Sequence, residues 1–131
     1  MMISSRGRYA LRVMVELAGR EGLTPLKDIA AKEELSQKYL ESIMTLLSKA
    51  GLVEGSHGRG GGYRLSRPPE EYTMEEILSL AEGGISAVGC QAESGCQRAD
   101  CCPTRPLWAR LDELVSGFLS SVTLADLLKT E

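Results

Sequence analysis

The chain has 131 residues, of which 43% are hydrophobic and 25% charged, and a net charge of −3 at pH 7. This composition is that of one soluble domain, or of a small domain with an appendage, and it excludes collagen-like and low-complexity chains. No apolar run reaches 18 residues, and the first residues lack the apolar stretch of a signal peptide. We therefore expect a cytoplasmic protein that does not contact a membrane.

Charge is unevenly divided along the chain. Residues 1–68 carry 11 Lys and Arg side chains against 7 Asp and Glu, whereas residues 69–131 carry 4 against 11. A basic first half is compatible with a polyanionic partner that binds only that half. Structural domains also show such asymmetry, so the charge alone does not identify the partner.

The first 50 residues carry the pattern of three helices. Apolar residues recur at helical spacing over residues 9–18, before Gly19. Thr24 followed by Pro25 predicts the N-cap and first residue of a second helix. Ser36 predicts the N-cap of a third helix, which ends at Gly51. Two short helices joined by a tight turn fit a helix-turn-helix, although helical hairpins that bind no DNA also occur.

A glycine-rich hairpin is predicted directly after the third helix. Segments 52–54 and 63–66 have strand character, and five glycines lie between residues 55 and 62. Glycine permits positive φ values and lets the backbone approach a phosphate closely. A hairpin at this position is typical of the wing of a winged-helix domain, with His57 and Arg59 as candidate DNA contacts. The alternative is a surface loop without a ligand.

Pro68 and Pro69 predict a boundary between a DNA-binding domain at residues 1–67 and a second region at residues 68–131. Thr73 and Glu76 predict a capping box for a fourth helix. After Pro106, eight apolar residues recur every three or four positions: Leu107, Trp108, Leu111, Leu114, Val115, Phe118, Leu119 and Val122. We predict that this long helix packs on its copy in a two-fold homodimer. The alternative is a last helix packed within one chain.

The third helix is the predicted recognition helix of a dimer that spans successive major grooves of near-palindromic DNA. Its exposed N-terminal residues are candidate contacts to bases or phosphates: Ser36, Gln37, Lys38, Glu41 and Ser42. A glutamate there can accept a hydrogen bond from a cytosine amino group. Four arginines are predicted phosphate contacts: Arg6, Arg8, Arg12 and Arg59. Phosphate contacts carry affinity and salt dependence rather than sequence choice.

All four cysteines lie within 13 residues: Cys90, Cys96, Cys101 and Cys102. Disulfides between them would close only short rings, so a reactive or ligating centre is favoured over a scaffold. A thiol–disulfide switch and a tetrahedral zinc site are alternatives, although no two cysteines are separated by two residues. No nucleophile–base constellation is present, and the glycine run leads into a strand, so we expect no enzyme.

Several motifs resemble those of the Rrf family of bacterial winged-helix regulators, almost from end to end. They are SSRGRYALR at residues 4–12, YLE at 39–41, GLV at 51–53, GGGY at 60–63, LW at 107–108, GFL at 117–119 and TLADL at 123–127. The resemblance implies a mainly α-helical winged-helix fold with a small β wing and a long C-terminal dimerisation helix. It also implies a dimeric transcription regulator, a repressor, that binds double-stranded DNA.

The IscR-like and NsrR-like members of that family hold an iron–sulfur cluster on three cysteines with five residues in each gap. Cys90, Cys96 and Cys102 reproduce this spacing, and thiolates are the ligands that such clusters use. The resemblance therefore implies a [2Fe-2S] or [4Fe-4S] cluster on a sensor loop at residues 90–102. Such a centre would report iron–sulfur, redox or nitrosative status.

The fourth ligand departs from the family pattern. IscR-like members have a histidine where this chain has Arg105, and NsrR-like members have an acid where it has Arg8. Cys101, an acid such as Glu93 or Asp100, or an open iron site would complete the set. Two adjacent cysteines do not easily face one cluster, which favours a non-cysteine or open site. Another branch of the family, which regulates cysteine metabolism, implies a further alternative: a repressor without a cluster that responds to a partner enzyme. Members of that branch generally lack the three cysteines.

Overall fold

The computed structural model describes residues 3–85 and 103–129. Three helices come first: α1 (Ser5–Ala18), α2 (Leu26–Glu33) and α3 (Gln37–Lys49). Two strands follow, β1 (Val53–Ser56) and β2 (Gly62–Leu65), and then a one-turn 3-10 helix (Pro69–Glu71). The last helices are α4 (Met74–Glu82), α5 (Arg105–Ser121) and α6 (Leu124–Leu128). The strands pair antiparallel as one hairpin, so the predicted mainly α fold with a small β wing is confirmed.

Side-chain caps fix where α1 and α3 begin. The Oγ of Ser4 accepts a hydrogen bond from Gly7 N at 3.1 Å, and the Oγ of Ser36 accepts one from Tyr39 N at 3.1 Å. Each bond satisfies a backbone N–H that has no partner within its helix. The predicted cap at Ser36 is therefore confirmed.

The start of α2 differs from the prediction. Its N-cap is Pro25, and no side chain caps it. The backbone of Thr24 instead pairs with Tyr63 of β2, through two N–H···O bonds of 2.9 Å each. The predicted cap at Thr24 is wrong because this residue joins the base of the wing, a partner that lies far away in sequence.

The predicted capping box of α4 is only half formed. Thr73 Oγ1 accepts from Glu76 N at 3.2 Å, but the Glu76 carboxylate accepts from the Arg67 guanidinium at 2.6 Å. This bond to Glu76 is the main reason why the pKa of Arg67 is raised. A complete box forms at the start of α6, between Thr123 and Asp126.

One hydrophobic core extends through both halves of the chain. Its members come from α1, α2, α3, the strands, α4, α6 and the connection before α4; the largest fully buried ones are Tyr72, Met14, Ile29, Leu40, Ile43, Met44, Leu47, Ile77, Leu124 and Val13. Burying an aliphatic or aromatic side chain of this size contributes roughly 1.5–3 kcal/mol. Packing therefore continues across the predicted boundary at residues 67–68.

Helix α5 presents one row of its apolar stripe outward. Leu107 is 59% exposed and Phe118 is 65% exposed, and Leu111 and Leu114 between them are exposed as well. The opposite side faces α4, where the hydroxyls of Ser116 and Ser120 donate to the carboxylate of Glu75. The predicted long amphipathic helix is thus confirmed. Four residues of its stripe are exposed in a single chain, whereas Leu119 and Val122 pack against the core.

Candidate nucleic-acid interface

The turn between α2 and α3 is tight. Glu34 ends α2 in the left-handed conformation, with φ at 55°, which is uncommon for a residue with a side chain. The N–H of Leu35 then bonds to Ala30 O at 3.0 Å, and Ser36 caps α3. This geometry is the predicted helix-turn-helix, and it leaves one face of α3 in solvent.

The exposed face of α3 carries the predicted contacts. Gln37, Lys38 and Glu41 are exposed on its first turns, and the first turn contains no acidic residue. The positive end of the helix dipole therefore faces solvent without a compensating carboxylate in that turn, as an anion-binding helix terminus requires. The hydroxyls of Ser36 and Ser42 instead bond within the helix, to Tyr39 N and Tyr39 O.

The wing projects beside this face. Its tip carries exposed His57 and Arg59, flanked by Gly58 at φ 89° and Gly60 at φ 72°. Side chains rarely adopt these angles, so the predicted positive φ values are confirmed at both glycines. At the base of the wing, a Cβ on Gly62 would overlap the backbone of Thr24.

A cleft of about 620 Å³ separates the wing from α3. It brings together two predicted contacts, Glu41 of α3 and His57 of the wing. Among its lining residues are polar ones that the sequence analysis missed, including Lys27, Thr45 and Lys49. The last two follow Glu41 at intervals of four residues, so helical periodicity alone would have placed them on the same face.

The arginines of α1 have different surroundings. Arg6 and Arg8 are exposed, and Arg8 donates to Ser5 Oγ at 3.2 Å. Arg12 Nε lies 2.6 Å from the buried Oε2 of Glu33, without the alignment of a hydrogen bond. Its guanidinium also lies 5.5 Å from the ring centroid of Tyr9. Arg12 therefore holds α1 to α2, and a phosphate contact would have to compete with the carboxylate.

Tyr9 places this part of α1 next to the recognition helix. Its ring meets that of Tyr39 edge-on, with centroids 6.1 Å apart. Because Tyr39 lies on the first turns of α3, a shift of α1 would displace the end of α3 that carries Gln37 and Lys38.

The predicted cluster ligands Cys90, Cys96 and Cys102, and the additional Cys101, lie outside the described residues. Glu93 and Asp100 do as well. Within residues 3–85 and 103–129, no three His, Cys, Asp or Glu side chains form a group that could hold a metal ion. In the same ranges, no helix is long and apolar enough to cross a membrane. Arg105, at the position of the family's histidine ligand, is the first residue of α5.

The model of the Rrf2 family, described as an iron-dependent transcriptional regulator, matches residues 3–130. The chain belongs to the Rrf2 family. The transcriptional regulator IscR of Serratia proteamaculans (strain 568) is 38% identical to it over 133 residues, which cover 100% of this chain and 81% of the relative.

Two solved structures support membership of the Rrf2 family. CymR (YrzC), the global cysteine regulator of B. subtilis, superposes with a TM-score of 0.81 and 39% identity, covering 100% of this chain and 98% of that one. The IscR of T. potens gives a TM-score of 0.80 and 32% identity, covering 99% and 88%. The protein is therefore an Rrf2-family transcriptional regulator with a winged-helix fold, and its relatives include both IscR and CymR proteins.

Proposed function

We propose that this Rrf2 regulator is a homodimeric repressor that binds double-stranded DNA through α3 and the wing. The observation that carries the proposal is the arrangement around the cleft, where an exposed polar helix face and a cationic hairpin border the same space. A recognition helix with Gln37, Lys38 and Glu41 on its exposed first turns suits the major groove. Arg59 on the wing suits the adjacent phosphates.

Lysines at the cleft strengthen the electrostatic part of this proposal. Lys27 at the start of α2 and Lys49 at the end of α3 line the cleft together with Glu41. Each phosphate that a lysine neutralises releases a counterion, so affinity falls as salt rises. We therefore place both lysines among the phosphate contacts, in addition to those predicted from sequence.

The exposed stripe of α5 supports the homodimer. Four large apolar side chains spaced by three or four residues form a continuous exposed row: Leu107, Leu111, Leu114 and Phe118. Packing this row against its two-fold copy removes apolar surface from water, and at roughly 25 cal/mol per Å² buried this favours association. A two-fold dimer also supplies two copies of α3, as a near-palindromic site requires.

Regulation is assigned to the cysteine segment, which connects the end of α4 to the start of α5. Its donor set fits an iron–sulfur cluster, because three thiols with five residues in each gap supply soft ligands from one short stretch. Cys90, Cys96 and Cys102 would hold the cluster. When bound, it would supply a centre that responds to oxidants, to nitric oxide or to loss of iron.

A thiol–disulfide switch is the second candidate. Similarity to the cysteine regulator CymR favours it, as does the presence of a fourth cysteine, Cys101, outside the triad. In this alternative two thiols would transfer two electrons and two protons to an oxidant such as a peroxide, and an S–S bond would form. The same segment would then change without any metal.

Anaerobic reconstitution distinguishes the two candidates. The protein is treated with ferrous iron and sulfide, and its visible absorption and iron and sulfide content are measured. We expect a coloured protein whose chromophore is lost in Cys90→Ala, Cys96→Ala and Cys102→Ala and retained in the matched control Cys101→Ala. A colourless, iron-free protein would reject the cluster and favour the thiol switch. Loss in Cys101→Ala with retention in Cys102→Ala would show that the ligand set is wrong.

DNA binding is tested separately, with the DNA upstream of the protein's own gene. The logarithm of the affinity should fall steeply and linearly with the logarithm of the salt concentration. Lys49→Ala should lower the slope by about one, and Lys129→Ala, at the far end of the chain, should leave it unchanged. A flat salt dependence of the wild-type protein would contradict docking of α3 and the wing.

A further inference from the structure

The last residue of α4 is bonded to the beginning of α1. Glu82 Oε1 accepts hydrogen bonds from the backbone N–H of Ser4 at 3.0 Å and from its hydroxyl at 2.6 Å. The same hydroxyl oxygen accepts from the N–H of Gly7 at 3.1 Å. One serine, 78 residues earlier in the chain, therefore joins the Glu82 carboxylate to the first turn of α1.

The fit around this carboxylate is close. Gly7 is buried, and a Cβ added to it would overlap Glu82 Oε1. The carboxylate thus lies directly against the backbone of α1, where a larger residue would displace it. It also lies at the N-terminal end of that helix, where the helix dipole favours negative charge.

Glu82 also has a particular position along the chain. Gly83 and Gly84 follow it with φ values of 74° and 114°, and the cysteine segment begins at residue 90. Because these angles suit glycine, the chain turns away from α4 immediately after the carboxylate. Glu82 is therefore the last residue of α4, eight positions before Cys90, and it contacts the N-terminal end of the helix that carries Arg6 and Arg8.

We propose that Glu82 is a positioning residue that transmits the state of the cysteine segment to α1 through Ser4. This inference rests on the proposed function. A change in the segment that moves the end of α4 would make or break the two bonds to Ser4. The first turn of α1 would then shift, together with Arg6 and Arg8 and the contact of Tyr9 with the start of α3.

The experiment compares two chemical states of the full-length protein. In one the protein is treated anaerobically with ferrous iron and sulfide; in the other all four cysteines, which lie between residues 90 and 102, are alkylated with iodoacetamide. Hydrogen exchange of the amides of residues 7–9 reports the first turn of α1. Fluorescence anisotropy with the upstream DNA reports affinity, and iron analysis reports loading.

For the wild-type protein we expect the two states to differ in protection of the Gly7 amide and, by at least about fivefold, in DNA affinity. In Glu82→Ala both differences should fall below about twofold, with iron content unchanged. A purely structural role would weaken both states equally and keep the ratio. Glu82→Gln, which keeps an acceptor oxygen without charge, should retain an intermediate ratio and provides a second variant if Glu82→Ala is unstable.

The control is Glu71→Gln, which removes one exposed charge from the 3-10 helix and should keep the full response. If the wild-type protein binds DNA equally well in the iron- and sulfide-treated state and in the alkylated state, the proposed regulation fails. The coupling between Glu82 and α1 is then tested by hydrogen exchange of the Gly7 amide alone. A Gly7 difference that Glu82→Ala abolishes would support the coupling; no difference in the wild-type protein would overturn it. Full retention of both responses in Glu82→Ala would overturn the inference alone.

Discussion

The buried hydroxyl of Tyr72 holds the base of the wing to the region before α4. It donates to Leu52 O at 2.7 Å and accepts from the N–H groups of Ser66 and Arg67, at 3.0 Å each. The Arg67 guanidinium lies 4.3 Å from the ring centroid. All hydrogen-bonding positions of this hydroxyl are used, and the side chain is 0% exposed.

Tyr72→Phe should therefore reduce the free energy of unfolding by about 1–3 kcal/mol, because the buried Leu52 carbonyl loses its donor and two part-buried backbone N–H groups lose their acceptor. Urea denaturation followed by circular dichroism measures this change. Tyr39→Phe is the control: the half-buried ring keeps its edge-on contact with Tyr9, so a change of no more than about 0.5 kcal/mol is expected. Equal stability of Tyr72→Phe and the wild-type protein would contradict the role of the hydroxyl.

Glu75 joins α4 to α5, and we expect this contact to depend on pH. Hydrogen bonds from the hydroxyls of Ser120 and Ser116 lower its pKa below the ordinary value of 4.5. A carboxyl whose pKa is lower in the folded state stabilises the fold above its unfolded pKa, and this contribution is lost as the pH falls through the folded value. The helix contact should weaken only in acid.

Glu75→Gln should flatten the acid side of the melting-temperature profile, measured from about pH 6 down to about pH 3. Glutamine does not titrate, so its bonds to the two serines change less with pH. Glu71→Gln, an exposed carboxyl of the same charge, should retain the wild-type slope. An acid profile of Glu75→Gln that matches the wild-type profile would show that the serine bonds do not couple protonation to stability.

In the wing, some glycines are required by the conformation of the turn and one is also required by a contact with a residue distant in sequence. Gly58 and Gly60 have positive φ and open space around them, as the glycine run predicts. Gly62, at φ 149°, also lies against the backbone of Thr24, a contact that depends on where α2 ends up in the fold. Sequence analysis predicted the hairpin but had no signal for this second requirement.

Gly62→Ala should cost more than about 1 kcal/mol of stability and displace the wing, because its Cβ would separate Thr24 from Tyr63. The DNA affinity of this variant should fall as well. Gly60→Ala meets no neighbour and should cost only about 1 kcal/mol for its positive φ. Thermal unfolding and anisotropy measure both variants, and a milder effect at residue 62 than at residue 60 would refute the anchoring role.

At the scale of elements, local chemistry explains what sequence analysis predicted. The cap at Ser36 and the apolar periodicity of α3 and α5 depend on neighbours within four residues, so these two helices were predicted to within two residues of their ends. The cap predicted at Thr24 is absent because the backbone of this residue pairs with Tyr63 of β2. The pairs Arg12–Glu33 and Ser4–Glu82 join residues that are far apart in sequence, so no short-range sequence pattern predicts them.

For the whole molecule, the exposed row of α5 is the proposed dimer interface. Phe118→Ser should convert the proposed dimer to a monomer at micromolar concentration, because it removes the most exposed large apolar side chain of the row. Sedimentation equilibrium measures the mass. Glu113→Ser, on the same helix but paired with Arg110, should remain dimeric. A dimer of unchanged affinity in Phe118→Ser would place the interface elsewhere.

In the proposed regulation, the chemical state of the cysteine segment sets the affinity of α3 and the wing for DNA. The most direct test is an anaerobic anisotropy titration of the upstream DNA with iron- and sulfide-treated protein, beside the Cys90→Ala variant treated in the same way. We predict affinities that differ by about fivefold or more, the lower bound of common allosteric coupling. Equal DNA affinities of the two folded proteins, one with and one without iron, would contradict regulation by the cysteine segment.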